Sequence, residues 1–131
     1  MRSKLGWIIL CALLTSTCGT EIPSPGPLPP SITFAGNWDS NWGYMQLSQN
    51  GKRVYGPYKG FRNGSVSGEQ NGDLMTFFWV QKEGNQSGRG FMRLSQDGTT
   101  LEGRWGYLRS FDNGGRWSAK RSAAEAEQPY E

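Results

Sequence analysis

The side chains from which a functional site could be assembled are few in kind. The 131-residue chain contains no histidine and only two cysteines, Cys11 and Cys18, both near the N-terminus. That removes Ser-His and Cys-His nucleophile pairs and histidine metal sites, and it removes thiolate chemistry from everything after residue 18. Carboxylates remain. Asp73 and Asp97 fall at predicted turns, where a short carboxylate bonds nearby backbone, and Glu102 falls opposite Arg93 in the register derived below. Asp39 and Glu69 are left over. A glycosidase pair needs its two carboxyls at a set separation, and nothing in the spacing of these two supplies it. The chain is therefore read as non-catalytic, with a carboxylate-based hydrolase as a distant alternative. Calcium loops and phosphate-binding glycine motifs are absent, so no metal and no other cofactor is expected.

Aromatic surface is what the chain has in quantity. Trp42, Tyr58, Trp79, Trp105 and Tyr107 are the candidates for a ligand site at one end of the fold. Phe61, Arg62, Arg109 and Phe111 sit beside them in sequence as candidates for its rim. Flat rings beside polar donors stack on sugars, bases or apolar ligands, and arginine adds affinity for anions. The same rings could equally plug a barrel end.

The elements that must position these residues lie in residues 32–121, which hold sixteen glycines and fifteen aromatics and no stretch of helical periodicity. Such a composition predicts an all-β domain with tight turns. The stretch GYMQLSQNGKRVYGPYKG at residues 43–60 returns as GFMRLSQDGTTLEGRWGY at residues 90–107. A two-residue turn centred on Asn50-Gly51 would set Leu47 opposite Val54 and Met45 opposite Gly56. Its counterpart at Asp97-Gly98 would set Leu94 opposite Leu101, Met92 opposite Gly103 and Arg93 opposite Glu102 as an ion pair. Both copies then bury the same face, with Met45, Leu47, Val54 and Tyr58 matching Met92, Leu94, Leu101 and Trp105. A third hairpin about Asn71-Gly72 would pair Val66 with Phe77 and Gly68 with Met75. It places Met75, Phe77 and Trp79 inside and leaves Leu74, Phe78 and Val80 as an outward apolar stripe. That stripe calls for a cover: residues 31–35, a second copy of the chain, or a partner. Adding GNWDSNW before and GRWSAKR after gives about eight strands. We expect one small antiparallel meander closed as an up-and-down β-barrel, which leaves no sheet edge; a β-sandwich or a strongly curved open sheet is the alternative.

Outside this block the chain reads as export machinery. Residues 1–18 join two positive charges to the apolar run LGWIILCALL, too short to span a bilayer. Cys18-Gly19 resembles the processing site at which bacterial lipoproteins are lipidated, with Thr15 and Thr17 departing from its usual residues; ordinary cleavage after Gly19 is the alternative. Residues 19–31, which include IPSPGPLPP, form a proline-rich linker. Residues 32–121 carry a net charge of +5, and the tail at residues 122–131 is acidic, with three glutamates, and expected to be disordered.

The Gly36-Asn37-Trp38 motif, followed by Gly43 and the VYGPY of residues 54–58, resembles the opening strands of avidin-type and lipocalin-type barrels, the calycin-like group. The doubled pattern is also similar to small exported bacterial lipoprotein domains of unassigned function. The first resemblance implies a small barrel. It does not carry biotin binding, because the places of the biotin-binding asparagine and serine hold Ser40 and Tyr44, and only Tyr58 matches. The functional expectation is an exported, membrane-tethered binding module of the cell envelope for a small molecule, glycan or protein. A protein-interaction or inhibitor domain is the alternative, and export argues against a nucleic-acid partner.

Overall fold

In the computed structural model, which describes residues 22–60 and 62–122, eight antiparallel strands follow one another in order. They are β1 (Gly36–Ser40), β2 (Gly43–Asn50), β3 (Arg53–Lys59), β4 (Gly64–Asn71), β5 (Leu74–Gln81), β6 (Gln86–Leu94), β7 (Thr100–Tyr107) and β8 (Gly115–Arg121). Each pairs with the next. β1 also pairs with β8 through Trp38↔Arg121, Asp39↔Lys120 and Ser40↔Ala119, so the meander closes into a barrel. Closure uses every backbone edge, which suits a domain without disulfides. The leader with Cys11 and Cys18, Phe61, and the acidic tail from residue 123 lie outside the described residues.

Alternation sets the faces. Met45, Leu47, Val54 and Tyr58 from the first copy, and Met92, Leu94, Leu101 and Trp105 from the second, all lie in the core with Val66, Met75, Phe77 and Trp79. Each buried apolar side chain contributes about 1.5–3 kcal/mol. The second hairpin has the expected register, Leu94↔Leu101 and Met92↔Gly103. The other two are displaced by two residues: Met45 pairs with Tyr58 and Asn50 with Arg53, while Val66 pairs with Trp79 and Gly68 with Phe77. The cause is the turn. Gly51 and Gly72, at φ 65° and 62°, take the first central position, and Lys52 and Asp73 take the second. This is the type II′ arrangement, which needs positive φ only at its first central residue. An even displacement keeps every side chain on its face, so the core came out as expected. Arg93 and Glu102 do stand opposite each other, but they do not pair. Arg93 reaches Asp73 at 2.6 Å, and Glu102 meets Arg116 at 3.2 Å.

The turns β2–β3, β4–β5 and β6–β7 share one end of the barrel, and residues 22–35 close it. The Gly26 N–H donates to Asp73 Oδ1 at 2.8 Å, and the Asp73 N–H returns a bond to the Gly26 carbonyl at 2.9 Å. Arg93 donates to the Ser24 carbonyl and Gln96 to that of Pro27. Gln49 accepts from the Phe34 N–H and the Thr33 hydroxyl, and Arg121 bonds the carbonyls of Thr33 and Ala35. Phe34 is fully buried, with Leu28 and Ile32 packed beside it. The same docking accounts for Leu74. It points outward as expected yet is only 3% exposed, because residues 24–26 bond to its sequence neighbour Asp73 and its cross-strand partner Arg93. Residues 22–27, rather than 31–35, lie over this turn.

Candidate functional site

The opposite end is built from the loops β1–β2 (41–42), β3–β4 (60–63), β5–β6 (82–85) and β7–β8 (108–114). Tyr58, Trp79, Trp105 and Tyr107 occupy inward positions near the ends of β3, β5 and β7, and Trp42 folds in from its loop. Glycines make room for the rings. A Cβ at Gly88 would meet Trp79, one at Gly90 Phe77, one at Gly114 Trp105, and one at Gly64 the Tyr58 ring. Bare strand positions lying under aromatic rings let large side chains fold flat inside a narrow barrel.

The five expected ligand-site aromatics come together in one network. Trp42 touches Tyr58, Trp79 and Trp105 at centroid distances of 6.3, 6.5 and 4.9 Å; Trp79 meets Trp105 at 5.5 Å, and Tyr107 meets both at 5.8 and 5.0 Å. Trp117 fills the space below, 5.5 Å from Trp42 and 5.3 Å from Tyr58. Most of the rings are edge-to-face, the arrangement the ring quadrupole favours. Tyr58, Trp79 and Trp105 are buried; Trp42 is half-buried and Tyr107 is 41% exposed. The aromatics fill the barrel end rather than line a hollow one. The Trp79 indole N–H is satisfied by the Gly106 carbonyl at 3.1 Å. Among the described residues Trp117 Nε1 is the buried side-chain donor left without a partner.

Polar groups gather over this plug. Tyr58 donates its hydroxyl to Gln81 Oε1 at 3.1 Å, and Gln81 is itself only 2% exposed. Burial pushes the Tyr58 phenol up to about 12, with Arg62 working against the shift and Glu83 for it, so Tyr58 is a neutral donor. The Asn63 side-chain amide donates to Glu83 at 3.2 Å, tying the β3–β4 loop to the β5–β6 loop. The Arg62 guanidinium lies over the Trp42 ring at 5.1 Å. Arg62, Asn63, Gln81 and Glu83 line an open groove of about 380 Å³. A second groove of about 430 Å³ shares Asn63 and Glu83 and runs on past Tyr58, Pro57 and Val80. Sequence reasoning singled out Arg62 but not Gln81, Asn63 or Glu83. The available signal was parity: Gln81 continues the inward series Met75, Phe77, Trp79.

The remaining candidates lie elsewhere. Phe78 and Val80 face outward, 57% and 50% exposed. Phe111 swings from the β7–β8 loop over the outer face, where Arg89 lies 5.2 Å from the Phe78 ring and 5.4 Å from that of Phe111. Arg109 is exposed on the same loop. Asp39 lines a groove with Glu102 and Lys120, and Glu69 a different one with Phe78 and Phe111, so the two leftover carboxylates are not brought together. Ser40 shapes the β1–β2 turn, donating to the Gly43 carbonyl and accepting from the Trp42 N–H.

Fold and site together define a closed eight-stranded antiparallel barrel, consistent with a calycin-like small barrel. No protein family, curated protein or solved structure matches the chain.

Proposed function

We propose that the chain is an exported, envelope-tethered, non-catalytic binding module that engages its ligand from outside, at the aromatic end. The convergence of Trp42, Tyr58, Trp79, Trp105 and Tyr107 in one network at that end carries the reading. A packed interior directs a ligand to the rim, where Trp42 and Tyr107 retain exposed surface. The export leader and a lipid on Cys18 belong to the same proposal. Because residues 22–35 dock at the opposite end, an anchor at Cys18 would point the aromatic end away from the membrane. Kinship with avidin-type and lipocalin-type barrels is proposed for the architecture only, since Ser40 serves its own turn and the Tyr58 hydroxyl is engaged by Gln81.

A second reading, a protein-interaction domain using Phe78 and Val80, is favoured by their exposure on one face of β5. Titration of the full chain with pools of glycans, lipids and peptides, followed by tryptophan emission and melting temperature, tests the first reading. A shift with one pool supports it; unmoved emission and melting across all pools sinks it. Acyl labelling that persists after Cys18→Ser would rule out the anchor.

A further inference from the structure

We infer that the outer face of the barrel carries a channel along β4 that takes an extended peptide, with an acidic residue at one end and apolar residues at two-residue intervals after it. The inference rests on the second reading above, the protein-interaction domain, and names the chemistry of its partner. Register builds the channel. Pro57, Ser65 and Val80 stand side by side on β3, β4 and β5, and Tyr55, Ser67 and Phe78 form the next row. β4 contributes only serines to these rows, so the middle is low. The walls stand above it, 40% exposed at Tyr55, 57% at Phe78 and 50% at Val80. Two grooves follow one another along this floor, one of about 430 Å³ over Ser65 and one of about 340 Å³ over Ser67, with Phe111 flanking the second.

Charge gives the channel a direction. Lys59 and Lys82 line the first groove with Glu83, and Arg62 lines the groove adjoining it. That is three cations to one carboxylate, and the carboxylate already accepts from Asn63. Among the described residues neither lysine forms an ion pair. At the other end Arg53 and Glu69 stand opposite each other and their charges cancel. An anionic group is therefore drawn to the lysine end. Spacing selects a peptide. The two rows are one two-residue step apart, about 7 Å, which is also the repeat of alternate side chains in an extended chain. An acyl chain with a carboxylate would share the polarity, but it would strip water from the serine hydroxyls and return no hydrogen bond. A peptide backbone offers those hydroxyls both N–H and C=O. Since the closed barrel has no free strand edge, recognition is by side chains and not by strand addition.

The test selects a display library of random heptapeptides on the full chain, then titrates the most enriched peptide into ¹⁵N-labelled protein. Enriched peptides should share an acidic residue with apolar residues spaced two apart, and the peptide should shift the backbone amides of Ser65, Ser67 and Val80. Its affinity should fall about tenfold or more in Lys59→Glu, in Lys82→Glu and in Phe78→Ser. All three positions are exposed, and melting temperatures check that the variants are folded. Peptides that bind without this pattern, or whose binding none of the three variants weakens, would overturn the channel and leave an interaction domain. Shifts of the same amides with laurate and with no selected peptide would give the channel to an acyl chain and overturn the inference. No enrichment and no shift would overturn both the inference and the interaction reading.

Discussion

Asp73 is the residue through which the N-terminal segment is fastened, and Asp73→Ala is the sharpest test of that fastening. Its Oδ1 accepts from the Gly26 N–H at 2.8 Å and from Arg93 at 2.6 Å. Hydrogen bonds to a charged group contribute about 1.5–3 kcal/mol each, but the Arg93 head is partly in water, which discounts that contact toward the small value of surface pairs. The net expectation is a loss of about 2–3 kcal/mol, or about 8–20 °C in melting temperature for a domain of this size. Asp73→Asn, which keeps an acceptor but not the charge, should lose about half as much. The pH dependence follows from the carboxyl itself. Burial alone would raise its pKa; the Gly26 N–H and Arg93 outweigh burial and hold it below the ordinary 3.8. A depressed folded value means the stabilisation is present above the unfolded pKa and is lost as pH falls through the folded one. The gap between wild type and Asp73→Ala should thus stay constant while the pH lies well above 3.8 and narrow as the pH falls below that value. Urea unfolding followed by tryptophan emission measures the gap, and hydrogen exchange at the Gly26 amide reports the segment directly. A gap under about 0.5 kcal/mol, or an unchanged exchange rate at Gly26, would refute the fastening.

Gly103→Ala should destabilise by at least about 1–3 kcal/mol, because its Cβ would collide with the Phe91 carbonyl oxygen; calorimetry of the purified variant checks it. Tyr58→Phe strips Gln81 Oε1 of its donor and should cost about 1–3 kcal/mol. In an ultraviolet titration it should also abolish the phenol that ionises only near 12, and a wild-type curve in which every tyrosine ionises together would contradict the buried pair. Phe78→Ser, at an exposed position, should change unfolding free energy by less than about 0.5 kcal/mol. A larger loss in urea unfolding would mean that the outer stripe is covered in solution.

The inward faces were legible in sequence because a period of two survives any even error in register. Met45, Leu47, Met92 and Leu94 land in the core although the first and third hairpins are each displaced by two. The turn chemistry was the illegible part. Asn-Gly reads equally as the centre of a type I′ turn or as a strand end followed by a II′ glycine, and Asn50 and Asn71 prove to be strand ends that pair with Arg53 and Leu74. The aromatic end was legible as a set, since Tyr58, Trp79, Trp105 and Tyr107 lie near the ends of the odd-numbered strands β3, β5 and β7 and Trp42 in the β1–β2 loop. Its polar lid was not, because Asn63 meets Glu83 across 20 residues of sequence, and nothing local announces such a contact. Asp73 was legible as a turn residue but not as a clasp, for its partner Gly26 lies 47 residues away.

The two ends of the barrel are closed by different physics. At the end where residues 22–35 dock, carboxylate, guanidinium and amide side chains grip the backbone of that segment, and each contact has a definite partner. Such a closure leaves little for a ligand to satisfy. At the other end the rings supply packing, which is non-directional, and among the described residues the Trp117 indole N–H is left without a partner beneath the plug. An eight-stranded barrel is just wide enough to be filled by side chains, and here the rings do the filling. Gln81 is the polar exception in that filling, and its side chain is bonded to the Tyr58 hydroxyl, which burial keeps protonated.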